Sequence, residues 1–597
     1  MTPSENSQRK ICIGVDLGTT NTCAAIVKDN IATFLDLELN SLTMPSAIRF
    51  VDGDSNNVVI GRLAKRFAIT KPKEVYISFK ALMQNEEWLN DPKIVEHYKV
   101  GDKQFTPTDM ATIILGHIYK VAQESSFAKE GAIDNIMICV PAASTAYYKK
   151  EVIKAALQSG FGEKDANGEV IYNEGGQPKG IRLIEEPFAA AYSYGLKNGF
   201  FDSDKSKNQN IMVYDFGGGT FDVSIINVVS EKDKAPEFTL LGTYGVTHLG
   251  GDDIDFALMK IAAKQFYKET KIDLLDASKD NKGCKKKDVL IAQSTLKELC
   301  ERSKIEDFAL GAPEAQLQQL SIIHDEENDE DCNLDVIVTK DQFTAAIKPL
   351  LDKTIECANN ALQESHLTLE DINRFVLVGG STKGPWVQDA IRIYIEKEPY
   401  IADNVDVIVG EGASYYANYV NLADDGVIGE PEPKGDNENT PAIDEEENTS
   451  KPDILKNRTS QYYGVEIRGG FFVPLVAKGL PFDDEHQSYS GSIKCTNPND
   501  SGSVYITGWS TQEDILLRDE NGEPILDESG ILSSTKSVHY INQDGSKVFT
   551  SLGQFHLSVP KAEAHTLDIT LTLTVLKDNS IKLEVKIGDE APIVQPW

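Results

Sequence analysis

The sequence predicts an α/β domain built on a duplicated strand–turn–strand unit, followed by a β-sandwich. Three observations carry that prediction. The stretch "IGVDLGTTNTCAAIV" (residues 13–27) returns in altered form as "MVYDFGGGTFDVSII" (residues 212–226). Up to about residue 422, short apolar runs alternate with helical segments. From about residue 456 onward the apolar period changes to two.

Each copy of the repeated stretch is an apolar run, an Asp, a Gly/Thr-rich turn and a second apolar run. Glycine lets backbone N–H groups approach an anion closely, so successive amides in such a turn can cradle a phosphate. Threonine adds hydroxyl donors. Asp16 and Asp215 would repel a phosphate directly, so their useful place is facing a hydrated Mg²⁺ that bridges phosphate oxygens. One Gly-rich hairpin alone reads as an ordinary β-turn. Two related hairpins with Asp at the same point read as a clamp that holds a polyphosphate from both sides.

The intervening elements follow an α/β plan. "NIMICV" (residues 135–140) reads as a buried strand, and "STAYYKKEVIKAALQSG" after Pro141 as a helix with Ser or Thr near its cap and Gly160 at its end. "IRLI" followed by "EEPFAAAYSYGL" repeats the theme, with Pro187 suited to a first helical turn. "RFVLVGG" followed by "STKGPWVQDAIRIYI" is a third such unit. Its Gly379, Gly380 and Ser381 suit the sugar or α-phosphate end of a nucleotide, because a helix N-terminus offers free amides. A plain strand–helix turn has the same appearance.

Residues 423–455 are rich in acid, Pro, Gly and Asn and have almost nothing to bury, which predicts a flexible, charge-extended linker. Beyond it, Leu567, Ile569, Leu571, Leu573 and Val575 alternate with polar residues, "KDNS" turns the chain, and Ile581, Leu583, Val585 and Ile587 alternate on the way back. That is a hairpin signal. The boundaries expected are a polar tail at 1–9, an α/β domain at 10–422, the linker at 423–455 and a β-sandwich at 456–597, with no helical appendix after it.

The totals exclude other classes. A net charge of −34 offers no basic stripe for nucleic acid, and the acidic runs at 324–331 and 444–447 read as solvated surface. No apolar run is long enough to span a membrane, and the first ten residues lack the apolar core of a signal peptide. The eight cysteines are scattered without a CxxC pair, which fits a cytoplasmic location.

Beyond the physics, a resemblance becomes specific. "VDLGTTNTCAAIV", "VYISFKALM", "VPAASTAYYKKEVIKAA", "IEEPFAAAYSYG", "YDFGGGTFDVSII", "THLGGDDID" and "LVGGSTKGP" occur in the order of the 70-kDa heat-shock (DnaK-type) chaperone family, from about Lys10 to Tyr419. The resemblance implies a two-lobed, actin-like ATPase domain and then a β-sandwich that binds extended peptides. It implies ATP or ADP with Mg²⁺ as ligands, with unfolded or extended polypeptides, a J-domain co-chaperone and a nucleotide exchange factor as partners. Carried over residue by residue, Gly18, Thr19, Thr20 and Asn21 match the first phosphate loop, and Gly217, Gly218, Gly219 and Thr220 the second. Lys80 matches the lysine that orients the attacking water. Asp16, Glu186 and Asp215 match the acidic set around Mg²⁺ and that water, and Thr220 a threonine near the γ-phosphate. Gly250, Gly251, Glu301, Lys304, Gly379, Gly380, Ser381 and Lys383 match further nucleotide-binding positions.

Past the linker, Val465, Ile467, Tyr489, Val504 and Ile506 fall where the family lines its peptide groove, although the same five could form sandwich core. Arg468 falls where the family often arches an apolar residue over the peptide, and would favour acidic or mixed segments. Three other departures stand out. Ile305 and Phe308 replace an arginine and a serine at the adenine, where lost cation–π stacking should weaken base binding by roughly 1 kcal/mol, and Gly410 replaces an acid expected to face the adenosine site. The apolar linker has shrunk to "DIL", with Lys456 and Asn457 in place of leucines, which predicts poor docking. A helical lid is not expected. The functions in competition are an ATP-hydrolysing chaperone, a regulatory or client-holding relative with weak nucleotide coupling, and a small-molecule kinase of the same fold. "IEEPFAAAYSYG" and the C-terminal sandwich argue against the kinase.

Overall fold

Both copies of the repeated stretch fold as antiparallel hairpins within a sheet. In the computed structural model the described residues are all except 1–9, 143, 174–176, 202–205, 233–234, 248, 279–280, 282, 403, 425–454, 460, 468–470, 483–487, 497–502, 512–549, 559–567, 577–580, 589–590 and 597. The polar tail, nearly all of the acidic linker and Arg468 therefore lie outside the described residues.

The first sheet runs Ile181–Glu185, Ala132–Val140, Lys10–Leu17, Asn21–Lys28, Ile31–Phe34. The second runs Tyr400–Ile401, Arg374–Val378, Lys207–Phe216, Thr220–Ser230, Glu237–Thr247, with Leu455–Lys456 added at its edge. Leaving that last strand aside, the two orders are the same: each hairpin has a parallel partner beside its first strand and an antiparallel one beside its second. Strands covered on both faces need apolar residues at consecutive positions. Ile136 to Val140 and Ile211 to Tyr214 supply them, all buried.

Among the described residues, three buried clusters organise these sheets. One backs the first sheet and one the second. The third mixes both, joining Met137, Cys139 and Ile184 to Ile211, Val213 and Val376 through helices Glu186–Lys197 and Ile408–Asp424. Those helices touch backbone to backbone: a Cβ on Gly412 would lie 1.8 Å from the carbonyl oxygen of Ala189. Only glycine allows that approach.

The acidic run at 324–331 is a built turn. It joins the strands Glu314–Asp325 and Glu330–Thr339, and buried Asp325 accepts hydrogen bonds from the N–H groups of Glu327 (3.0 Å) and Asn328 (3.2 Å).

Among the described residues the C-terminal strands form two four-stranded antiparallel sheets over one shared core. Ile569 pairs with Ile587 and Val575 with Ile581. Every second residue from Ile569 to Val575 is buried. Strand Ile593–Pro596 adds to the same sheet.

The linker expectation is corrected at its C-terminal end. Leu455–Lys456 docks as a parallel strand, with Leu455 opposite Phe238 and Lys456 opposite Thr239. Strand pairing uses backbone groups, so replacing leucines by polar residues does not prevent it. Lys456 pairs with Glu237 (2.7 Å), Asn457 donates to Glu185 (2.7 Å), and Lys478 of the sandwich pairs with Glu364 (3.0 Å). Among the described residues no helix is long and apolar enough to cross a membrane.

Candidate active site

The two Gly-rich loops meet. A Cβ on Gly218 would lie 1.9 Å from Thr20 Oγ1, and one on Gly219 would lie 3.5 Å from Thr19 Cγ2. The first loop, Gly18 to Asn21, is held by Ser46, whose hydroxyl donates to the Gly18 carbonyl (2.7 Å) and whose N–H donates to Thr20 (2.8 Å). The second loop is held from the far side. The N–H groups of Gly251 and Asp252, in the first turn of helix Gly251–Thr270, donate to the carbonyls of Gly217 (3.0 Å) and Gly218 (2.8 Å). Ser381 Oγ also donates to Gly217 (2.8 Å). Because a trans peptide sets N–H opposite C=O, the Gly218 and Gly219 amides point away from that helix.

Beneath the loops lies a buried acidic floor. Asp16 stands opposite Cys23 in its hairpin, and Asp215 stands opposite Asp222 in the other. Glu186 opens its helix and accepts from Lys80 Nζ at 2.7 Å, with both side chains nearly buried. Burial, then Glu186, pushes Asp16 up to about 7, with Lys80 opposing. Asp215 is raised well above the carboxylate range by burial, Glu186, Asp222 and Asp16. Burial alone would lower the Lys80 ammonium, but Glu186, Tyr148 and Asp16 raise it well above its ordinary value.

Sequence reasoning missed Asp222. Its signal is the register that sets it across from Asp215, which no periodicity displays. Burial and Glu186 push it up to about 7, from an ordinary 3.8. With the folded value raised, this carboxyl favours the fold below about pH 4, and that contribution is lost as pH rises towards 7. Asp222→Asn is neutral throughout. It is expected to raise the melting temperature of ligand-free protein by a few degrees at about pH 8 and by less at about pH 5, read by calorimetry. Equal shifts at both pH values would contradict that origin.

The site suits a hydrated divalent cation. Carboxylates crowded out of water gain from added positive charge, and Mg²⁺ retains its water shell readily. Among the described residues no group of three or more His, Cys, Asp or Glu side chains forms a direct ligand set.

Around this centre the other expected residues fall unevenly. Gly250 caps helix Gly251–Thr270, and Gly379 closes against the Asp215 carboxylate. Glu301 pairs with Lys65 (2.9 Å), and Lys304 is held by Asp255 (2.7 Å) and the Gly251 carbonyl (3.0 Å). Lys383 pairs with Asp406 beside Gly380. Gly410 lies against Cys23 and Asp16, and the acid near the third turn is Asp406. Ile305 is 55% exposed, whereas Phe308 is buried and stacks on Phe343 with ring centroids 4.4 Å apart.

In the sandwich, Val465 and Ile506 are buried in the shared core. Tyr489 is half-buried and packs on Phe482. Ile467 and Val504 lie in strands, but their side chains are outside the described residues.

Comparison with known proteins adds an independent line. Residues 12–421 match the family described as Hsp70 protein. Over 489 residues the chain is 31% identical to "Chaperone protein DnaK" of Buchnera aphidicola subsp. Schizaphis graminum (strain Sg), a match covering 79% of this chain. The chain spans 66% of the length of that curated relative.

Proposed function

The chain belongs to the Hsp70 family, and on that footing we propose that it is an ATP-hydrolysing chaperone that binds extended peptide segments through its sandwich. The observation that carries the hydrolytic half is the contact of Gly218 with Thr20 directly over Asp16, Asp215 and the Lys80–Glu186 pair. Phosphoryl transfer to water needs positioning and charge neutralisation far more than covalent help. In this reading the backbone amides of the two loops bind the phosphates, and Thr220 lies near the γ-phosphate. Lys80 and Glu186 hold the attacking water. Asp16 and Asp215 would hold Mg²⁺ through its waters, and the ion would neutralise charge on the phosphate oxygens. The base is gripped less firmly, by the apolar edge of Ile305.

The docked strand Leu455–Lys456 supports coupling between nucleotide and peptide, because it ties the sandwich to the sheet that carries the second loop. Coupling requires that ATP favour one of two arrangements of the halves. Unfolded polypeptides, a J-domain co-chaperone and an exchange factor are the partners of this reading. A cytoplasmic setting goes with this reading.

The test is phosphate release from ATP by the full chain, with Mg²⁺ and with the ion chelated. Turnover that depends on Mg²⁺ is expected. A chain that binds Mg²⁺–ATP and releases no phosphate would overturn the hydrolytic half and leave a holding protein.

A further inference from the structure

One buried polar group beside the Lys80–Glu186 pair takes no part in that reading. Tyr148 lies in the first turn of helix Ala146–Gln158. Its N–H donates to Thr145 Oγ1 (3.0 Å), and the Thr145 hydroxyl donates to the Gln84 carbonyl (2.8 Å), so the start of the helix is fixed at both ends. The side chain has no exposed surface, and its ring packs into the core behind the first sheet. The hydroxyl oxygen is buried and has no hydrogen-bond partner among the described residues.

The charges that act on this phenol are those of the site. Burial pushes it up to about 12, with Lys80, Glu186, Asp16 and the Cys139 thiol as its electrostatic neighbours. The phenol in turn contributes to the field at Lys80. Buried hydroxyls in folded proteins are almost always paired, and an unpaired one lowers stability. A catalytic role is one of the uses that a buried, unpaired hydroxyl can have, and this one borders the reaction centre proposed above. A neutral phenol can both donate and accept.

We propose that Tyr148 is a further catalytic residue of ATP hydrolysis, its oxygen accepting a hydrogen bond from the attacking water beside Lys80 and Glu186. This rests on the hydrolytic reading above. The bond from water oxygen to the γ-phosphorus forms as the bond from that phosphorus to the β–γ bridging oxygen breaks. The protons of the water leave with inorganic phosphate and solvent, and Tyr148 neither gains nor loses one. Its part is to aim the lone pair of the water, which orients a nucleophile without adding charge.

Tyr148→Phe removes only the oxygen. In the full chain, measured beside the wild type, single-turnover phosphate release is expected to fall roughly tenfold. Affinity for Mg²⁺–ADP–aluminium fluoride, which mimics the transferring phosphoryl group, should fall by a similar factor, with affinity for Mg²⁺–ADP unchanged. The melting temperature should hold or rise, because an unpaired buried hydroxyl has been removed. Unchanged phosphate release would overturn the proposal. So would a lowered melting temperature together with weakened Mg²⁺–ADP binding, which marks a structural hydroxyl. A wild type without turnover would overturn the hydrolytic reading and this residue's role with it, whereas equal turnover in both proteins overturns the role of Tyr148 alone.

Discussion

Lys80→Ala is expected to slow ATP hydrolysis by roughly 100- to 1,000-fold while Mg²⁺–ATP still binds. The reason is where the ammonium sits. It is buried, 2.7 Å from Glu186, on the floor of the site, whereas the amides proposed to bind the phosphates belong to loops held by Ser46, Ser381 and the helix at Gly251. Removing one preorganised donor aimed at a reacting centre costs about 2.7–4 kcal/mol of barrier in comparable sites. The variant also leaves Glu186 buried without its cation, which costs about 3–5 kcal/mol of stability. Phosphate release should therefore be read well below the melting temperature. Lys80→Ala combined with Glu186→Gln should regain stability without regaining turnover. Near-normal turnover in Lys80→Ala, or loss of nucleotide binding in a folded variant, would remove Lys80 from the reacting centre.

Leu455→Asp is expected to abolish any effect of ATP on peptide release and to leave basal hydrolysis within a few-fold. Leu455 packs into the cluster shared by the two sheets, against a strand that begins at Glu237. Burying most of a leucine contributes about 1.5–3 kcal/mol, against about 0–1 kcal/mol for an exposed ion pair such as Lys456–Glu237. The apolar contact therefore dominates the docking of this strand. An aspartate there would lose that burial and bring a third carboxylate near Glu237 and Glu185. Peptide release that still responds to ATP in Leu455→Asp would mean that the sandwich communicates through other contacts, with Lys478–Glu364 the first to examine.

The legible parts of the sequence were those where one residue type has one physical use. The repeated Asp and Gly-rich turn announced two hairpins, and their sheets share one strand order. The alternation from Ile569 to Ile587 announced the sandwich hairpin, and its pairs fall in register. What escaped depends on partners far away in the chain. Asp222 looks like any polar residue in an alternating strand until register sets it opposite Asp215. The polar residues of the linker's end suggest poor docking, but backbone pairing, which side-chain polarity does not reveal, decides it. The packing of Gly410 against Cys23 and Asp16, and the pairing of Asp406 with Lys383, likewise join residues that spacing in the chain does not connect. Val465 and Ile506 carried two readings because core and groove positions of a sandwich use the same apolar residues.

The most direct measurement is the dissociation rate of a fluorescent extended peptide from the full chain, with and without Mg²⁺–ATP. A chaperone whose docked linker strand joins nucleotide to sandwich should bind the peptide and release it several-fold faster when Mg²⁺–ATP is added. Peptide binding with the same dissociation rate in both conditions would contradict coupling and leave a protein that holds its client independently of nucleotide.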